Sequence, residues 1–461
     1  MHHWFILGLA ISTLAATEQR NVILIMTDDQ GYGDLSCFGS KAIKTPHLDQ
    51  LASEGRKFTS FMVASPVCTP SRAALMTGCY PKRVGLHKGV LFPKSETGLN
   101  PTEWTIADHF KSHRYATACF GKWHLGHHPQ VLPTSNGFDH YYGIPYSNDM
   151  NHPDNSGKPK MGAEGMDTLW IDPESTLTKW QTPLLQDTTI IELPVDQRTI
   201  TRRCTDHAIT FIKNHRHSPF FLYLPYSMPH IPLYLPDELH HPNPKKAYPL
   251  VIQHIDEQIG RITQTLKDEN LTQKTILIFT SDNGPWLIYK HHGGSAGHLR
   301  QGKSTNFEGG QRVPCIMWAP GLIPPNTTCP DLIAAFDLLP SLATLTKTPL
   351  QLPAPIDGTD QSPAILGTAP SSRRNFIYYN AWAGIASGIR LDNWKFLQVQ
   401  PRKNKNAKTA TYLFNLATDP SESNNLASQQ PERVAKLRSL MEKADSEITR
   451  NSRPVWRMPK P

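Results

Sequence analysis

Asn21 to Thr27 (NVILIMT) is an almost unbroken apolar run that stops on Asp28-Asp29-Gln30-Gly31, and Lys274 to Thr280 (KTILIFT) stops on Ser281-Asp282-Asn283-Gly284. A strand apolar on both faces can only sit inside a sheet covered on both sides, which is the situation of a parallel sheet flanked by helices. Phe220 to Leu224 (FFLYL) is a third run of this kind. Helical periodicity falls between the runs, over Pro46 to Glu54, Thr105 to Ser112, Asp196 to Asn214 and Leu250 to Glu269. Strand and helix in alternation predict an α/β fold with a mostly parallel sheet sandwiched by helices. From about Arg373 the texture changes to short strands: Phe376 to Asn380, Gly388 to Leu391, Trp394 to Leu397 and Tyr412 to Asn415. One amphipathic helix follows, from about Pro431 to Ile448, so the C-terminal part reads as a small antiparallel sheet plus a helix. Lys403 to Thr411 reads as its solvated hairpin loop. The expected organisation is a leader over 1–17, an α/β domain over 18–370 and a small α+β subdomain over 371–461.

The two strand ends carry chemistry. Ligand sites in open α/β sheets lie beyond the carboxyl ends of the strands. Asp28, Asp29, Asp282 and Asn283 would bring three carboxylates and one amide oxygen together there, a hard oxygen shell suited to Ca²⁺ or Mg²⁺. Asp-Gly and Asn-Gly pairs are also ordinary turn signals, so neither end taken alone requires a metal.

Cys68-Thr69-Pro70-Ser71-Arg72-Ala73-Ala74-Leu75-Met76-Thr77-Gly78 places one thiol at the mouth of a predicted helix, with an arginine four residues on. Thr69 is expected as the cap and Pro70 as the first helical residue. A group at that terminus meets free N–H donors and the positive end of the dipole, which suits an anionic substrate. A free cysteine in a helix cap is the alternative reading of this one residue. The segment resembles the sulfatase signature C-x-P-S-R-x-x-x-[LM]-[TS]-G at every specified position. Gly121-Lys122-Trp123-His124-Leu125-Gly126, Tyr226-Ser227-Met228-Pro229-His230 and Gly302-Lys303 through Glu308-Gly309-Gly310 resemble further motifs of that family, in the same order. Gly143 to Asp149, Leu193 to Arg203 and Leu413 to Leu426 are similar to segments of its arylsulfatase A branch.

This resemblance implies an alkaline phosphatase-like fold, a large mixed sheet with a small four-stranded subdomain. It implies a sulfate-ester hydrolase in which Cys68 is oxidised to formylglycine (3-oxoalanine) by a formylglycine-generating enzyme. It also implies Asp28, Asp29, Asp282 and Asn283 as calcium ligands, with residue 68 completing the shell. Arg72, Lys122 and Lys303 would stabilise sulfate charge, and Ser147 would hydrogen-bond sulfate. His230 with Lys303 would protonate the leaving oxygen, and His124 would deprotonate the second hydroxyl of the formylglycine hydrate. A phosphomonoesterase or phosphonate monoester hydrolase of the same superfamily would use similar ligands, and a non-catalytic binder of sulfated glycans would need the cations without the acids.

Composition frames these readings. Lys and Arg number 47 against 39 Asp and Glu, a net charge of +8 without any block of like charge. The excess reads as a diffuse attraction to anionic substrates such as a sulfated saccharide. No basic helix or aromatic-basic module indicates nucleic acid. Trp4 to Ala16 is an apolar run too short to span a bilayer and ending in small residues, as in an export signal, so a periplasmic or extracellular location is expected. The seven cysteines (37, 68, 79, 119, 204, 315 and 329) leave Cys68 as the odd one beside three pairs, or beside six free thiols. His127 and His128 are expected in solvent, and His291 and His292 have no assigned role. Specificity is expected in the loops 84–101, 148–186 and 286–299.

Overall fold

The computed structural model describes residues 19–151, 162–174, 180–400 and 408–460. The leader expected over Trp4 to Ala16 lies outside them, as do parts of the 148–186 loop and of the 403–411 hairpin. Ten strands make the main sheet: β1 (Asn21–Thr27), β2 (Arg56–Phe58), β3 (Ala116–Phe120), β4 (His140–Gly143), β5 (Leu184–Gln186), β6 (Thr189–Glu192), β7 (Phe220–Pro225), β8 (Thr275–Ser281), β9 (Cys315–Trp318) and β10 (Thr327–Cys329). They lie in the order β10-β2-β9-β8-β1-β7-β3-β4-β5-β6. The centre, β8-β1-β7-β3-β4, is parallel throughout. Antiparallel pairs flank it, β8 with β9 on one side and β4 with β5 on the other. The sheet is therefore mixed and mostly parallel.

Alternation along β1 divides the core in two. Ile23 and Ile25 pack into one cluster with Leu48 and Leu51, Ile200 and Phe211, and Ile255 and Ile259. These come from α1 (Pro46–Glu54), α5 (Ile200–Asn214) and α6 (Ala247–Asp268), with labels following chain order across α2 (Cys68–Thr77), α3 (Ile106–Ser112) and α4 (Ala163–Ile171). Val22, Leu24 and Met26 face the other way, into a cluster with Ala73 and Met76 of α2, Ile106 and Phe110 of α3, and Leu338 and Leu342 of α7 (Leu338–Leu345). Burial on both faces is why β1 reads as one apolar run.

The small antiparallel sheet holds β11 (Asn375–Tyr379), β12 (Ala386–Leu391), β13 (Trp394–Val399) and β14 (Ala410–Asn415) in sequential order. It packs on α8 (Pro431–Arg450) through Val434, Leu437, Met441 and Ile448. Ala410 and Thr411, expected in a solvated loop, are strand residues paired with Val399 and Gln398.

Other expectations shift for local reasons. α5 begins at Ile200 rather than Asp196, because the Asp196 carboxylate accepts the Arg198 backbone N–H and holds a turn. α4 falls inside a stretch expected to be loop. All seven cysteines are free, and six of them are buried. His127 and His128 are half-buried rather than solvated. Their rings lie 4.3 Å apart, with His127 against Tyr146 and His128 against Trp456.

Because Ile25 is fully buried in the central strand, Ile25→Ala should cost about 2–5 kcal/mol through lost transfer energy and the cavity left behind. Urea denaturation measures it, and a cost below about 1 kcal/mol would contradict this packing.

Candidate active site

β1 and β8 pair in parallel with Thr27 opposite Ser281. That register sets Asp28 and Asp29 beside Asp282 and Asn283 where both strands end. Successive side chains of a strand point to opposite faces, so two adjacent aspartates would normally diverge. Asp29 avoids this by taking a left-handed conformation (φ 65°), which aspartate tolerates better than most residues. Its backbone N–H donates to Asp282 Oδ1 at 3.2 Å, tying the two strand ends together.

Cys68 enters from α2 and is the first residue of that helix, with Val67 as the N-cap. The expected cap is corrected: Thr69 lies inside the helix, and its hydroxyl donates to His124 O at 2.9 Å. Cys68 Sγ is 3.3 Å from Asp28 Oδ1 and 3.7 Å from Lys303 Nζ. Arg72, one turn along α2, donates Nε to Asp282 Oδ2 at 2.9 Å and Nη1 to Lys122 O at 2.6 Å. Lys122 Nζ binds Asp28 Oδ2 and donates to Ser147 Oγ at 2.9 Å. Lys303 Nζ meets Asp29 Oδ2 at 2.6 Å. His230 Nε2 lies 3.3 Å from Ser147 Oγ and 3.5 Å from Asp29 Oδ2. Every one of these residues except Lys303, whose side chain is 7% exposed, is buried.

Lys122 and His124 follow β3 through a bend that only glycine permits. Gly121 has φ 141°, and a Cβ there would stand 1.9 Å from Pro225 O. His124 Nε2 lies 2.9 Å from Leu91 O, so that nitrogen carries the proton and Nδ1 is the bare one. Nδ1 is buried and has no partner. His230 has the reverse arrangement: Nδ1 donates to Ile231 O at 2.7 Å, leaving Nε2 to face Ser147 and Asp29. Trp286 roofs this corner, its ring centroid 4.2 Å from Lys303 Nζ and 5.4 Å from that of His230.

The electrostatics follow from burial and proximity. Burial pushes Asp28 up, but Lys122, His230, Arg72 and Lys303 outweigh it and hold its carboxyl well below the usual range. Asp282 is pushed up by burial and by the charge of Asp28. Burial and the carboxylates of Asp28 and Asp282 raise the Cys68 thiol well above its ordinary value, despite Lys122 and Lys303. His124 is driven far down by burial, Lys122 and Arg72. His230 is lowered to about 4 by burial and Lys303, against the pull of Asp29 and Asp28. Both imidazoles are therefore neutral near pH 7 in the ligand-free protein.

The site gathers atoms that could hold a metal ion. Ligand atoms of Asp28, Asp29, Cys68 and His230 lie within 4.8 Å of one another. Asn283 donates Nδ2 to Asp29 Oδ1 at 2.7 Å and keeps Oδ1 buried without a partner, an oxygen left for a cation.

Sequence reasoning missed the residues that hold the Lys303 loop. Glu308, at the end of that loop, shares Lys395 of β13 with Glu422: Lys395 Nζ is 2.8 Å from a carboxylate oxygen of each. Glu422 Oε2 also accepts the Glu308 backbone N–H at 2.6 Å, and Tyr378 OH donates to Glu308 Oε1 at 2.9 Å. All three ionic side chains are fully buried. Glu308 and Glu422 stand in segments that had been singled out for resemblance, but nothing in the sequence pairs them with Lys395.

Profiles of known families match the chain in two stretches. The profile described as Sulfatase covers residues 20–348, and N-sulphoglucosamine sulphohydrolase, C-terminal covers residues 298–449. The chain is 36% identical to arylsulfatase A of Bos taurus over 446 residues, spanning 91% of this chain and 86% of that protein. A solved sulfatase from a glycosaminoglycan-metabolism locus of Bacteroides thetaiotaomicron superposes with TM-score 0.79 at 29% identity, covering 93% of this chain and 100% of that one. Ps i-CgsB, solved in complex with k-i-k-neocarrahexaose, superposes with TM-score 0.78 at 30% identity and 93% coverage of both chains.

Lys395→Met should destabilise the protein by about 3–5 kcal/mol, because it leaves two buried carboxylates without their shared cation. Adding Glu422→Gln should restore part of the loss by removing one of those charges. Urea midpoints of the single and double variants measure both effects, and a single-variant cost under about 1 kcal/mol would contradict the account.

Proposed function

Since the chain belongs to the sulfatase family, the sulfuric ester hydrolases, we propose that it hydrolyses sulfate monoesters of a saccharide at residue 68, matured from Cys68 to formylglycine. The observation that carries this reading is the Cys68 environment. A cysteine nucleophile must be a thiolate, which needs electropositive surroundings. Here burial and two carboxylates keep the thiol protonated. That setting is wrong for thiolate chemistry and right for a group that shares a cation with those carboxylates. Asp28, Asp29, Asp282, Asn283 and residue 68 would hold Ca²⁺, with Mg²⁺ as the other hard cation such a shell accepts. Ca²⁺, when bound, would supply Lewis-acid polarisation of the sulfate and a lowered pKa for the attacking hydroxyl.

The remaining residues act on charge and protons. Arg72, Lys122 and Lys303 would face sulfate oxygens, each such donor being worth about 3–4 kcal/mol in a transition state. Ser147, held by Lys122, would donate to the same group. His230, which carries a proton on Nε2 only as the imidazolium, would in that form give it to the departing oxygen, with Lys303 beside it. His124 would serve the opposite function, its bare Nδ1 accepting a proton as residue 68 is regenerated. The small sheet braces the Lys303 loop, in keeping with a catalytic domain over 18–370 and a supporting subdomain over 371–461. We read Trp4 to Ala16 as an export signal and the product as periplasmic or extracellular; among the described residues no helix is long and apolar enough to cross a membrane. Support for a sulfated saccharide comes from the net positive charge and from the solved neighbours, one of which was solved in complex with k-i-k-neocarrahexaose.

Protein co-produced with a formylglycine-generating enzyme should carry residue 68 about 18 Da lighter than cysteine by peptide mass spectrometry. Full turnover of sulfate esters by protein that retains the thiol would sink the proposal. Turnover of phosphate or phosphonate monoesters in preference to sulfate esters would favour a different member of the superfamily.

His230 gives a pH dependence of known sign. Burial and Lys303 lower its pKa to about 4 in the metal-free site, a bound cation would lower it further, and kcat/KM reports free-enzyme ionisations. The kcat/KM ratio of a sugar sulfate to 4-nitrophenyl sulfate should therefore fall as pH rises above about 4, since only the poor leaving group needs the proton. In His230→Ala the ratio should be lower and flat with pH. A wild-type ratio independent of pH would remove His230 from this role.

A further inference from the structure

A second convergence of ligand atoms lies on residues that take no part in the Cys68 centre. Asp167, on α4, accepts His291 Nε2 at 2.6 Å and His292 Nε2 at 2.8 Å, both on the same oxygen, Oδ1. Their ligand atoms lie within 4.8 Å of one another. Adjacent residues rarely turn both side chains onto one atom. Here they close a short turn, Leu287–His292, in which Lys290 adopts φ 52° and ψ −117°. That conformation is unfavourable for a non-glycine residue and persists only where the surroundings demand it.

The protonation states suit a metal. Burial raises the Asp167 carboxyl, but hydrogen bonds from His292 and His291 outweigh it, so the group is an anion. Burial lowers His292, favouring the neutral imidazole that ligates. Its side chain is 1% exposed, so the ring is fixed with Nε2 toward Asp167. Access exists as well: His291 lines a cavity of about 630 Å³, whose wall also includes Lys41, Lys245, Lys290 and His298.

We propose that Asp167, His291 and His292 form a second metal site, selective for a borderline divalent ion such as Zn²⁺ or Co²⁺. Two imidazole nitrogens and one carboxylate oxygen are the ligand set of such ions, whereas Ca²⁺ takes oxygen alone. Metal–ligand bonds of about 2.0–2.1 Å place tetrahedral ligand atoms roughly 3.3 Å apart. The His291–Asp167 contact of 2.6 Å would therefore open by about 0.7 Å and the His292–Asp167 contact of 2.8 Å by about 0.5 Å, which the 27–29% exposure of His291 and Asp167 allows. Water fills the positions left open. The ion ties α4 to the turn that follows Trp286, and so braces the indole lying over Lys303 and His230.

The test uses the full chain, stripped by chelator and returned to excess Ca²⁺ before titration with Co²⁺. One Co²⁺ per chain should bind, with the visible absorption of a low-coordinate His-ligated ion. His291→Gln, at a partly exposed position, should abolish that band, and so should Asp167→Asn, while both keep the thermal stability of the Ca²⁺ form. A zinc-soaked crystal should show anomalous density between the three side chains. Absence of the cobalt band in the wild type would overturn the site, as would a band that persists unchanged in His291→Gln. Density showing direct His–Asp hydrogen bonds at saturating Zn²⁺ would also overturn it, leaving those bonds as the whole function of the cluster.

Discussion

Opposite charges buried together at the ends of β1 and β8 are the constraint around which the rest of this protein is arranged. Asp28 and Asp282 are fully buried with Arg72 and Lys122, and Asp29 and Lys303 are nearly so. Any one of these charges alone would cost several kcal/mol to desolvate, and only a complete, well-placed set offsets that cost. The acids come from two strands, and the cations come from α2, the segment after β3 and the loop after β8. The sheet register, the start of α2 and the Lys303 loop must therefore form together, because each leaves an unpaired buried charge if the others are absent.

The same reasoning connects the small sheet to the site. The loop bearing Lys303 has no regular structure before Glu308, so it needs external anchors. Lys303 N–H donates to Pro285 O at 2.9 Å and Ser304 N–H to Pro66 O at 2.8 Å, pinning its start. Its end is pinned by Glu308, through Lys395 and Glu422. Arg300, just ahead of the loop, donates to Glu422 O at 2.6 Å. An ion triad inside a dry interface specifies geometry more sharply than apolar packing, because a displacement of one side chain strips partners from the other two. The C-terminal sheet thus acts on the ammonium of Lys303 without touching the reacting atoms.

How much of this was legible depended on what each element buries. β1, β7 and β8 are apolar on both faces, and the sequence marks them almost to the residue. The outer strands β2, β5, β6 and β10 are short and partly polar; β2 and β10 pair with strands far away in sequence, and the β5–β6 hairpin lacks a clean apolar alternation, so no local pattern announces them. α4 reads as loop because its one apolar face, Met166, Leu169 and Trp170, stands in a stretch rich in Gly, Pro and Asp. The motif around Cys68 was legible as chemistry, but the start of its helix was not: Thr69 is drawn from the cap by the carbonyl of His124, a partner 55 residues away. Lys395 shows the limit most clearly. In a strand reading Trp-Lys-Phe-Leu it passes for a surface lysine, and only the fold brings it to Glu308 and Glu422.

What the interior leaves unpaired is as informative as what it pairs. A buried polar atom without a partner costs about 1–3 kcal/mol, and three such atoms, unpartnered among the described residues, belong to residues of the candidate site. Asn283 Oδ1 is an acceptor, His124 Nδ1 is a bare nitrogen, and Arg72 Nη2 is a donor 3.9 Å from Asp28 Oδ2. These are the valences that a cation, a transferable proton and an anionic substrate would satisfy. Apolar side chains of the same shape would make this interior more stable and leave it nothing to bind. The charged set around the three atoms holds them in place, so the protein keeps at its centre a stability deficit that ligands can relieve.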